Sequence, residues 1–370
     1  MDRFNYRVNE LLNLANIKVG NEKIHDIQVH DERLYRRILS EGSIGLGEAY
    51  MEEWWDANQL DQFFFKLLST DIERKVKSNL YFRSLLQSKL FNLQSIRRSF
   101  HVGERHYDIG NDLFSNMLDK RMVYTCAYWK DAKNLQEAQE NKLDLVCRKI
   151  GLRSGQHVLD IGCGWGSFVK FASEHYGVSA VGITVSKEQA EFAKQSCQDL
   201  PIEIRLKDYR ELNEKFDHIV SLGMFEHVGQ KNYRAYMDVV ARCLKDEGLF
   251  LLHTIGSNYT RHNPDAWINK YIFPNGVLPS LKDISMALEH LFVLEDFHSF
   301  GADYDKTLMA WFSNFDANWS QLSEKYGNRF YRMWKYYLLS CAGAFRARNI
   351  QLWQLVLSKS GVQGGYIPVR

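Results

Sequence analysis

The feature that most constrains this chain is a glycine-rich loop that follows a short apolar run, in the stretch HVLDIGCGWGSF at residues 157–168. The run HVLDI is partly β-branched and ends at a glycine, so it is predicted to be a buried parallel strand. Gly162, Gly164 and Gly166 let the backbone turn tightly and approach a ligand closely. The next residues, SFVKFASEHYG, have the spacing of an amphipathic helix. A ligand in this loop would therefore face a helix N-terminus.

The glycine spacing distinguishes this loop from a dinucleotide-binding fingerprint. That fingerprint, G-x-G-x-x-G, requires a glycine where Ser167 stands, whereas the chain has G-x-G-x-G. The loop therefore favours a nucleoside over a pyrophosphate. A tight strand-to-helix turn with no ligand is the alternative that the loop alone leaves open.

Strands and helices alternate after the loop. The runs SAVGI, IEIRL, DHIVSL and GLFLLHT are predicted strands, and SKEQAEFAKQSCQ and KNYRAYMDVVARCL are predicted helices. This order predicts an α/β fold with a doubly wound, Rossmann-like sheet, whose ligands lie at the carboxyl ends of the strands. One crevice would then be surrounded by Asp160, Thr184, Asp208, Phe225 and Glu226.

The first part of the chain has a different pattern. VNELLNLANI and QLDQFFFKLLST have helical spacing, and a glycine-rich turn is predicted in EGSIGLGEAY between them. A chain of 370 residues is long for one core. We therefore expect a small helical N-terminal domain over 1–95 and a larger catalytic α/β domain over 96–370.

A local concentration of positive charge lies near this boundary. Residues 74–105 hold eight Lys or Arg against one acid, Glu104, although the net charge of the whole chain is only +2. Three interpretations are open: a solvated helical face, a surface for anionic phospholipid headgroups, and a surface for nucleic acid. Charge alone does not choose between lipid and nucleic acid.

Composition and cysteine usage restrict the class of protein. The chain is 45% hydrophobic and 25% charged, which is ordinary for a soluble protein. No apolar run reaches the length of a spanning helix, and MDRFNYRVNELL lacks the apolar core of a signal peptide, so we expect a cytoplasmic protein. The six cysteines form no C-x-x-C pair, so neither a disulfide framework nor a metal site is expected.

Several motifs together resemble those of the cyclopropane fatty acid synthases. They are RHYDIGNDLF, YTCAYW, LDIGCGWGSF, GITVSKEQ, GMFEHVG, LLHTIG and SCAGAFRARNIQLWQ, and they extend over nearly the whole chain. The resemblance implies a methyltransferase sheet that binds S-adenosylmethionine. It also implies methyl transfer to the cis double bond of an unsaturated phospholipid acyl chain, followed by closure to a cyclopropane.

Two other functions are weaker interpretations. Amino-directed nucleic-acid methyltransferases have an Asn/Asp-Pro-Pro-aromatic run where this chain has LGMFEHVG, and cytosine-C5 enzymes have a Pro-Cys nucleophile that is absent here. We therefore expect no nucleic-acid partner. A non-catalytic nucleotide-binding module would not require an acid, a histidine and a tyrosine such as Glu226, His253 and Tyr304.

The glycine loop is expected to approach the methionine portion and the ribose of the cofactor, and Asp160 its amino-acid end. The resemblance places Thr184 and Gln189 around the ribose, and Asp208 and Tyr209 beside the adenine. Core packing is the alternative role for Tyr209. The cofactor-binding residues expected are Tyr124, Thr125, Asp160, Gly162, Gly164, Trp165, Gly166, Thr184, Gln189, Asp208 and Tyr209.

Aromatic side chains suit a reaction in which a neutral alkene becomes cationic, because their faces attract cations and exclude water. Tyr107 and Tyr124 match family positions that border the sulfonium and the acyl chain, and Phe225 and Trp165 are candidates beside them. A hydrophobic wall without direct contact is the alternative for Trp165 and Phe225.

The new methyl group must lose a proton before the ring closes, so a base is needed. In the family this base is a bound bicarbonate, and its ligands match Cys126, Glu226, His253, Ile255 and Tyr304 here. Backbone N–H groups such as those of Cys126 and Ile255 would donate to the anion, and Glu226 would accept from its hydroxyl.

Three further expectations concern Cys341 and the partners of the chain. Cys341 is a weak catalytic candidate, since methyl transfer to an alkene needs no protein nucleophile. A phospholipid substrate implies peripheral association with the inner face of a membrane, through the N-terminal domain and residues 74–105. The resemblance also suggests a homodimer.

Overall fold

The structure is a computed structural model, and it describes residues 3–20, 22–70 and 110–370. Contacts divide these residues into two compact units. The first unit combines the described residues up to 70 with 263–274 and 304–350. The second combines 110–262, 275–303 and 351–370.

The helices are numbered in chain order over the described residues. They are α1 (Arg3–Leu14), α2 (Arg33–Glu41), α3 (Ser43–Met51), α4 (Leu60–Leu68), α5 (Asn111–Met117), α6 (Leu135–Lys149), α7 (Ser167–Tyr176), α8 (Lys187–Ser196), α9 (Tyr233–Cys243), α10 (Ala266–Tyr271), α11 (Leu281–Leu288), α12 (Ala302–Ala317) and α13 (Trp319–Arg346). Short 3-10 turns occupy Tyr209–Glu211, Phe225–His227 and Gln230–Asn232.

The strands form two sheets. They are β1 (Ile27–Val29), β2 (Trp55–Ala57), β3 (His157–Ile161), β4 (Ser179–Thr184), β5 (Ile202–Leu206), β6 (Phe216–Leu222), β7 (Leu244–Ser257), β8 (Val293–Ser299) and β9 (Ile350–Ser358). Strands β1 and β2 pair antiparallel with each other. The other seven form one sheet in the order β5-β4-β3-β6-β7-β9-β8.

The first unit is mainly helical. The predicted helices over VNELLNLANI and QLDQFFFKLLST are present as α1 and α4, but the predicted glycine-rich turn is wrong, because its residues form helix α3. The glycines of α3 serve packing instead: an added Cβ would lie 2.5 Å from the Arg37 carbonyl oxygen at Gly45 and 2.3 Å from Trp267 Cδ1 at Gly47. Tertiary packing therefore selects glycine inside this helix.

The first unit also gathers segments that are distant in the sequence. Helix α13 packs on α4, where an added Cβ at Gly343 would lie 2.7 Å from Phe64 Cβ. Arg346 donates to Asp61 at 2.6 Å and to Asp305 at 2.8 Å. This unit thus includes residues well beyond the predicted 1–95 domain, whose boundary at 95/96 lies outside the described residues.

The second unit contains the doubly wound sheet that the sequence predicts. Strand β3 pairs in parallel with β4 and β6, β4 with β5, and β6 with β7. Strand β8 pairs antiparallel with β9. The four runs predicted as strands after the glycine loop form β4, β5, β6 and part of β7, and the helices predicted between them are α8 and α9. The predicted α/β fold class is confirmed.

The two faces of this sheet bury different sets of side chains. Leu159, Phe250 and Trp353 belong to the core on the α9 side, whereas Val158, Leu251 and Val356 belong to the core on the α6 side. Since successive strand residues point to opposite faces, Asp160, His253 and Gln354 lie on the α6 side. The polar residues of the candidate site therefore share one face of the sheet.

Candidate active site

The glycine loop adopts the backbone conformation for which its glycines were predicted. The φ angles of Gly162, Gly164 and Gly166 are 87°, 54° and 84°. An added Cβ would lie 2.6 Å from Met224 Cβ at Gly162 and 3.2 Å from Ala193 Cβ at Gly166, while at Gly164 no atom of the described chain lies within 4 Å. Helix α7 begins directly after the loop, so its first N–H groups face the open side.

Asp160 stands at the carboxyl end of β3, immediately before this loop. It is buried, and its Oδ1 has no hydrogen-bond partner among the described residues. Burial raises the pKa of its carboxyl to about 7, and the charge of Lys142 opposes the rise. An unpartnered buried carboxylate oxygen fits an ammonium group, such as the one that an amino-acid ligand carries.

The ends of β4 and β5 hold their polar side chains in internal hydrogen bonds. Thr184 Oγ1 donates to Gln189 Oε1 at 2.9 Å and accepts from the Ser186 N–H at 3.2 Å. The Asp208 carboxylate accepts from Arg210 Nε at 2.7 Å and from the Arg210 N–H at 3.0 Å. These residues, with Asp160 and the glycine loop, form the glycine-loop half of the site.

The aromatic candidates have different surroundings. Trp165 Nε1 donates to Asn111 Oδ1 at 2.8 Å, and Phe114 lies between Trp165 and Tyr124, with ring centroids at 4.8 and 5.1 Å. Phe225 is fully buried and stacks on Tyr233 at 4.3 Å. Tyr209 contacts Tyr236 edge to face at 5.0 Å. Phe225 and Tyr209 are thus core aromatics in the free protein, which is the packing role left open for both.

Glu226 lies in the 3-10 turn after β6. Its Oε1 accepts from the Ile255 N–H at 2.6 Å, and its Oε2 has no hydrogen-bond partner in the part of the chain that the structure describes. Burial raises the pKa of Glu226 to about 7, which brings it into the range of a base that works near neutral pH. The Thr254 hydroxyl donates to the Ile255 carbonyl at 3.0 Å, and its proximity to the Glu226 carboxylate opposes the rise of that group's pKa.

His253 lies on β7 opposite Leu222, the last residue of β6. Its Nδ1 is 3.2 Å from Gln354 Nε2, and its Nε2 has no partner within residues 3–20, 22–70 and 110–370. Burial holds the pKa of the imidazole well below its usual range, so the ring is neutral. Glu226 and His253 form the Glu226–His253 half of the site, and each carries one buried polar atom that no described residue pairs with.

The segment that contains Cys126 is held by helix α6 and packs on the turn that leads to Glu226. Gln139 Nε2 donates to the Thr125 carbonyl at 2.9 Å, and Lys142 Nζ donates to Thr125 Oγ1 at 2.9 Å. An added Cβ at Gly223 would lie 2.6 Å from Thr125 Cγ2, so Thr125 packs on the turn that leads to Glu226. Cys126 itself is buried.

The sequence model of the mycolic acid cyclopropane synthetase family matches residues 94–355. The cyclopropane-fatty-acyl-phospholipid synthase of Escherichia coli (strain K12) is 54% identical over 364 residues, which cover 97% of this chain and 94% of that protein. This chain belongs to the cyclopropane synthase family.

Two solved structures of the family agree. The cyclopropane synthase MmaA2 from Mycobacterium tuberculosis has 31% identity and a TM-score of 0.67, covering 70% of this chain and 98% of that one. The mycolic acid cyclopropane synthase CmaA1, complexed with SAH and CTAB, has 34% identity and a TM-score of 0.66 with the same coverages. The protein is thus an S-adenosylmethionine-dependent methyltransferase, and the open loop at Gly164 with the unpartnered Asp160 oxygen fits that ligand.

Sequence analysis of this cyclopropane synthase did not select three buried polar residues that contact candidate site residues. They are Gln139, Lys142 and Gln354. Gln139, Lys142 and Lys149 occupy the buried stripe of α6 that also holds Leu135 and Val146. Polar side chains at apolar positions of an amphipathic helix were the signal that could have identified the first two. Gln354 had no comparable signal, since it stands in the apolar run IQLWQLVLS of a buried strand.

The remaining candidates belong to the first unit or lie outside the described residues. Tyr304 and Cys341 belong to the first unit, where Tyr304 stacks on Phe345 at 4.5 Å. Burial raises the pKa of the Cys341 thiol to about 12, so the thiolate that a nucleophile requires is disfavoured. Tyr107 and the basic span 74–105 lie outside the described residues.

The described residues contain no cluster of three or more His, Cys, Asp or Glu side chains that could hold a metal ion. No helix among them is both long and apolar enough to cross a membrane. All six cysteines are free thiols.

Proposed function

We propose that this enzyme transfers the methyl group of S-adenosylmethionine to the cis double bond of an unsaturated phospholipid acyl chain and that the product closes to a cyclopropane. The observation that carries the proposal is a pair of buried atoms without a hydrogen-bond partner among the described residues, Glu226 Oε2 and His253 Nε2, in the unit that also holds the glycine loop. An unactivated alkene has no acidic proton of its own, so a base in this unit would take the proton that leaves the new methyl group. The name of the Escherichia coli relative supports the same substrate.

The overall change adds one CH2 unit to the acyl chain. One alkene carbon gains the methyl group, and a proton leaves that methyl group as the ring closes. S-adenosylmethionine supplies an electrophilic methyl group when bound. Asp160 would orient the amino-acid end of this ligand, and the loop backbone at Gly164 would lie against it, so that both reactants are held in place.

We propose that Cys126, Glu226, His253, Ile255 and Tyr304 hold a bicarbonate ion, which supplies the base. Bicarbonate carries one hydroxyl donor and several acceptor oxygens, which complements a carboxylate acceptor at Glu226 and a ring donor at His253. The Ile255 N–H was expected to donate to the anion, but it donates to Glu226 Oε1. Ile255 therefore supports the site by orienting the Glu226 carboxylate.

The substrate is tested by incubating the enzyme with methyl-labelled S-adenosylmethionine and vesicles of unsaturated phospholipid. We expect the released fatty acids to gain one labelled CH2 unit per modified double bond, as measured by mass spectrometry. Label on tRNA or DNA, with the lipids unchanged, would overturn the proposal.

The base is tested separately. Turnover should slow in rigorously bicarbonate-depleted buffer and recover when bicarbonate is added. Full activity of depleted enzyme, with no anion in the purified protein, would return Glu226 or His253 to the role of direct base and leave the methyl transfer itself unaffected.

We further propose that the enzyme works in the cytoplasm as a homodimer associated peripherally with the inner face of the membrane. The substrate chain lies in a bilayer, and the basic span 74–105 offers charge for anionic headgroups. Replacing Arg97 and Arg98 by Glu should weaken binding to anionic vesicles, more at low salt than at high salt.

A matched control for that experiment is the same charge change at the exposed Lys133 and Lys194. Equal binding by both variants would mean that the basic span is only a solvated face. Sedimentation equilibrium of the purified protein tests the homodimer.

A further inference from the structure

The α6 side of the large sheet carries a row of buried polar side chains in an otherwise apolar layer. Asp160, His253, Gln354 and His298 stand on β3, β7, β9 and β8, and each contributes to this face. His298 lies opposite Gln354 in the β8–β9 register, so the two side chains share the face. Gln354 is fully buried, and neither the proposed methyl transfer nor the proposed bicarbonate ligand set uses it.

Gln354 contacts the ring of His253 directly. The side-chain amide nitrogen Nε2 lies 3.2 Å from His253 Nδ1. An amide nitrogen offers only hydrogens, so the ring nitrogen that it meets is the acceptor. In a neutral imidazole the second nitrogen, Nε2, then carries the proton.

The charged and titratable groups around His253 favour the same state. Lys142 and Lys149 on α6 and His298 on β8 act on the ring, and all three disfavour a second proton. No carboxylate contacts the ring among the hydrogen bonds of the described residues, and Phe300 packs edge to face at 6.0 Å. The imidazole therefore stays neutral, and its tautomer depends on Gln354.

We propose that Gln354 is a positioning residue: by donating to His253 Nδ1, it fixes the tautomer in which Nε2–H is a hydrogen-bond donor to an anion. This inference rests on the proposed function, because the anion is the bicarbonate proposed above. It also assigns different roles to Glu226 and His253 within the proposed set of bicarbonate ligands. His253 Nε2 cannot accept a proton while it carries one, so His253 binds the anion and is not the base.

Glu226 then completes the recognition. Its free oxygen Oε2 is an acceptor, whereas His253 Nε2–H is a donor. An anion that carries a hydroxyl group offers both a donor and an acceptor, whereas a halide offers only an acceptor. The site is therefore suited to a protonated oxyanion.

The tautomer is measured directly by nitrogen NMR of enzyme labelled with ¹⁵N at histidine, with His253→Gln identifying the His253 signals. We expect the wild-type spectrum to show a proton on Nε2 and an unprotonated Nδ1, with or without bicarbonate. A wild-type ring protonated on Nδ1, or on both nitrogens, would overturn the proposal.

Two variants at Gln354 sharpen the test. Gln354→Glu places an acceptor beside Nδ1, so a proton should move onto Nδ1 and the bicarbonate concentration for half-maximal rate should rise by about tenfold or more. Gln354→Met removes the donor and keeps the side-chain length, so it should release the tautomer preference. A Gln354→Glu spectrum identical to that of the wild type would contradict the positioning role.

The two proposals fail in distinguishable ways. If the tautomer depends on Gln354 but the rate of wild-type enzyme is indifferent to bicarbonate, the positioning role stands and the bicarbonate role fails. If the wild type needs bicarbonate but its Nδ1 carries the proton, the bicarbonate role stands and the positioning role of Gln354 fails.

Discussion

The two halves of the site satisfy their polar groups in different ways. In the glycine-loop half, Thr184 is hydrogen-bonded to Gln189, and Asp208 to Arg210, before any ligand arrives. In the Glu226–His253 half, one oxygen and one ring nitrogen are buried without a partner in the described chain. In the first half these polar side chains are already hydrogen-bonded, and a ligand adds contacts to them. The second half needs a ligand to complete its hydrogen bonds.

Asp160 combines both behaviours. It stands in the glycine-loop half, yet its Oδ1 is as unpartnered among the described residues as the two atoms of the other half. A buried polar group without a partner costs free energy. We infer that the unpartnered atoms of Asp160, Glu226 and His253 mark points where ligands bind, while the paired side chains of the site set its shape.

The largest effect is expected in the incomplete half, from Glu226→Gln. A neutral amide oxygen is a weaker acceptor than a carboxylate oxygen and cannot act as a base, so turnover should fall by about 10² to 10⁴. The loss should persist at high bicarbonate, while affinity for S-adenosylmethionine, measured by calorimetry, stays unchanged. Glu289→Gln, at an exposed position, is the control. Near-normal turnover of Glu226→Gln would mean that the Glu226 carboxylate is not needed to bind a ligand, and the proposed difference between the two halves would then be wrong.

The next effect separates shape from ligand contact within the glycine loop. Gly162→Ala should lower the free energy of unfolding by about 2 to 4 kcal/mol, because of its positive φ and the contact with Met224. A Cβ added at Gly164 meets no atom of the described chain within 4 Å, so the cost of Gly164→Val should come mainly from the positive φ and amount to about 1 to 2 kcal/mol. The substitution should nevertheless block cofactor binding.

Thermal unfolding and calorimetry measure the two variants side by side. If Gly164→Val bound S-adenosylmethionine with normal affinity, the open side of that glycine would not face the ligand.

A smaller effect is the pH dependence of cofactor affinity through Asp160. Its pKa of about 7 in the free protein means that the carboxyl loses its charge as the pH falls from about 8 to about 6. Affinity for the ammonium group of the ligand should fall over the same range. Asp160→Asn should bind about 10 to 100 times more weakly at pH 8 and lose this dependence.

The same carboxyl has a signature in the free protein. Its folded pKa lies above that of an unfolded Asp, about 3.9, so the unfolded chain binds fewer protons between the two values. The free energy of unfolding should therefore decrease as the pH rises from about 4 to about 7. Asp160→Asn should flatten part of that decrease, and an unaltered profile would contradict the raised pKa.

The smallest effect is expected from Cys341→Ser, in the first unit. The thiol is protonated at neutral pH, and the reaction needs no protein nucleophile, so most of the activity should remain. Steady-state assays with circular dichroism as a folding control decide the point. An inactive but folded variant would make Cys341 part of the machinery.

Much of the glycine-loop half could be predicted from sequence because its signals are local. The strand β3, the glycines and helix α7 are adjacent in the chain, and each has its own pattern. The order of the following strands and helices then determines the sheet. The role of each glycine was less accessible, because the neighbour of Gly162 is Met224, which lies far along the sequence.

The Glu226–His253 half depends on contacts that no local pattern encodes. Residues from four separate segments meet there, and Gln354 reaches His253 across 101 positions of sequence. Helix α3 was mispredicted for a related reason. Arg37 and Trp267 leave no space for a side chain at Gly45 and Gly47, and local helix propensity does not report such contacts. Without the family resemblance, His253 would have had no more claim than other polar residues, whereas Glu226 was placed at the crevice by its position after a predicted strand.

The polar stripe of α6 has a consequence for how this helix can sit on the sheet. Lys149 Nζ lies 3.1 Å from His298 Nδ1 and 3.4 Å from Asp296 Oδ2, while Lys142 and Gln139 bind Thr125. Shifting α6 by one residue rotates each side chain about 100°. Two ammonium groups would then enter the apolar layer unmatched. The stripe thus allows only one rotational orientation of the helix on the sheet. Three leucines at these positions would bury more apolar surface, whereas the polar side chains make the packing of this helix unique.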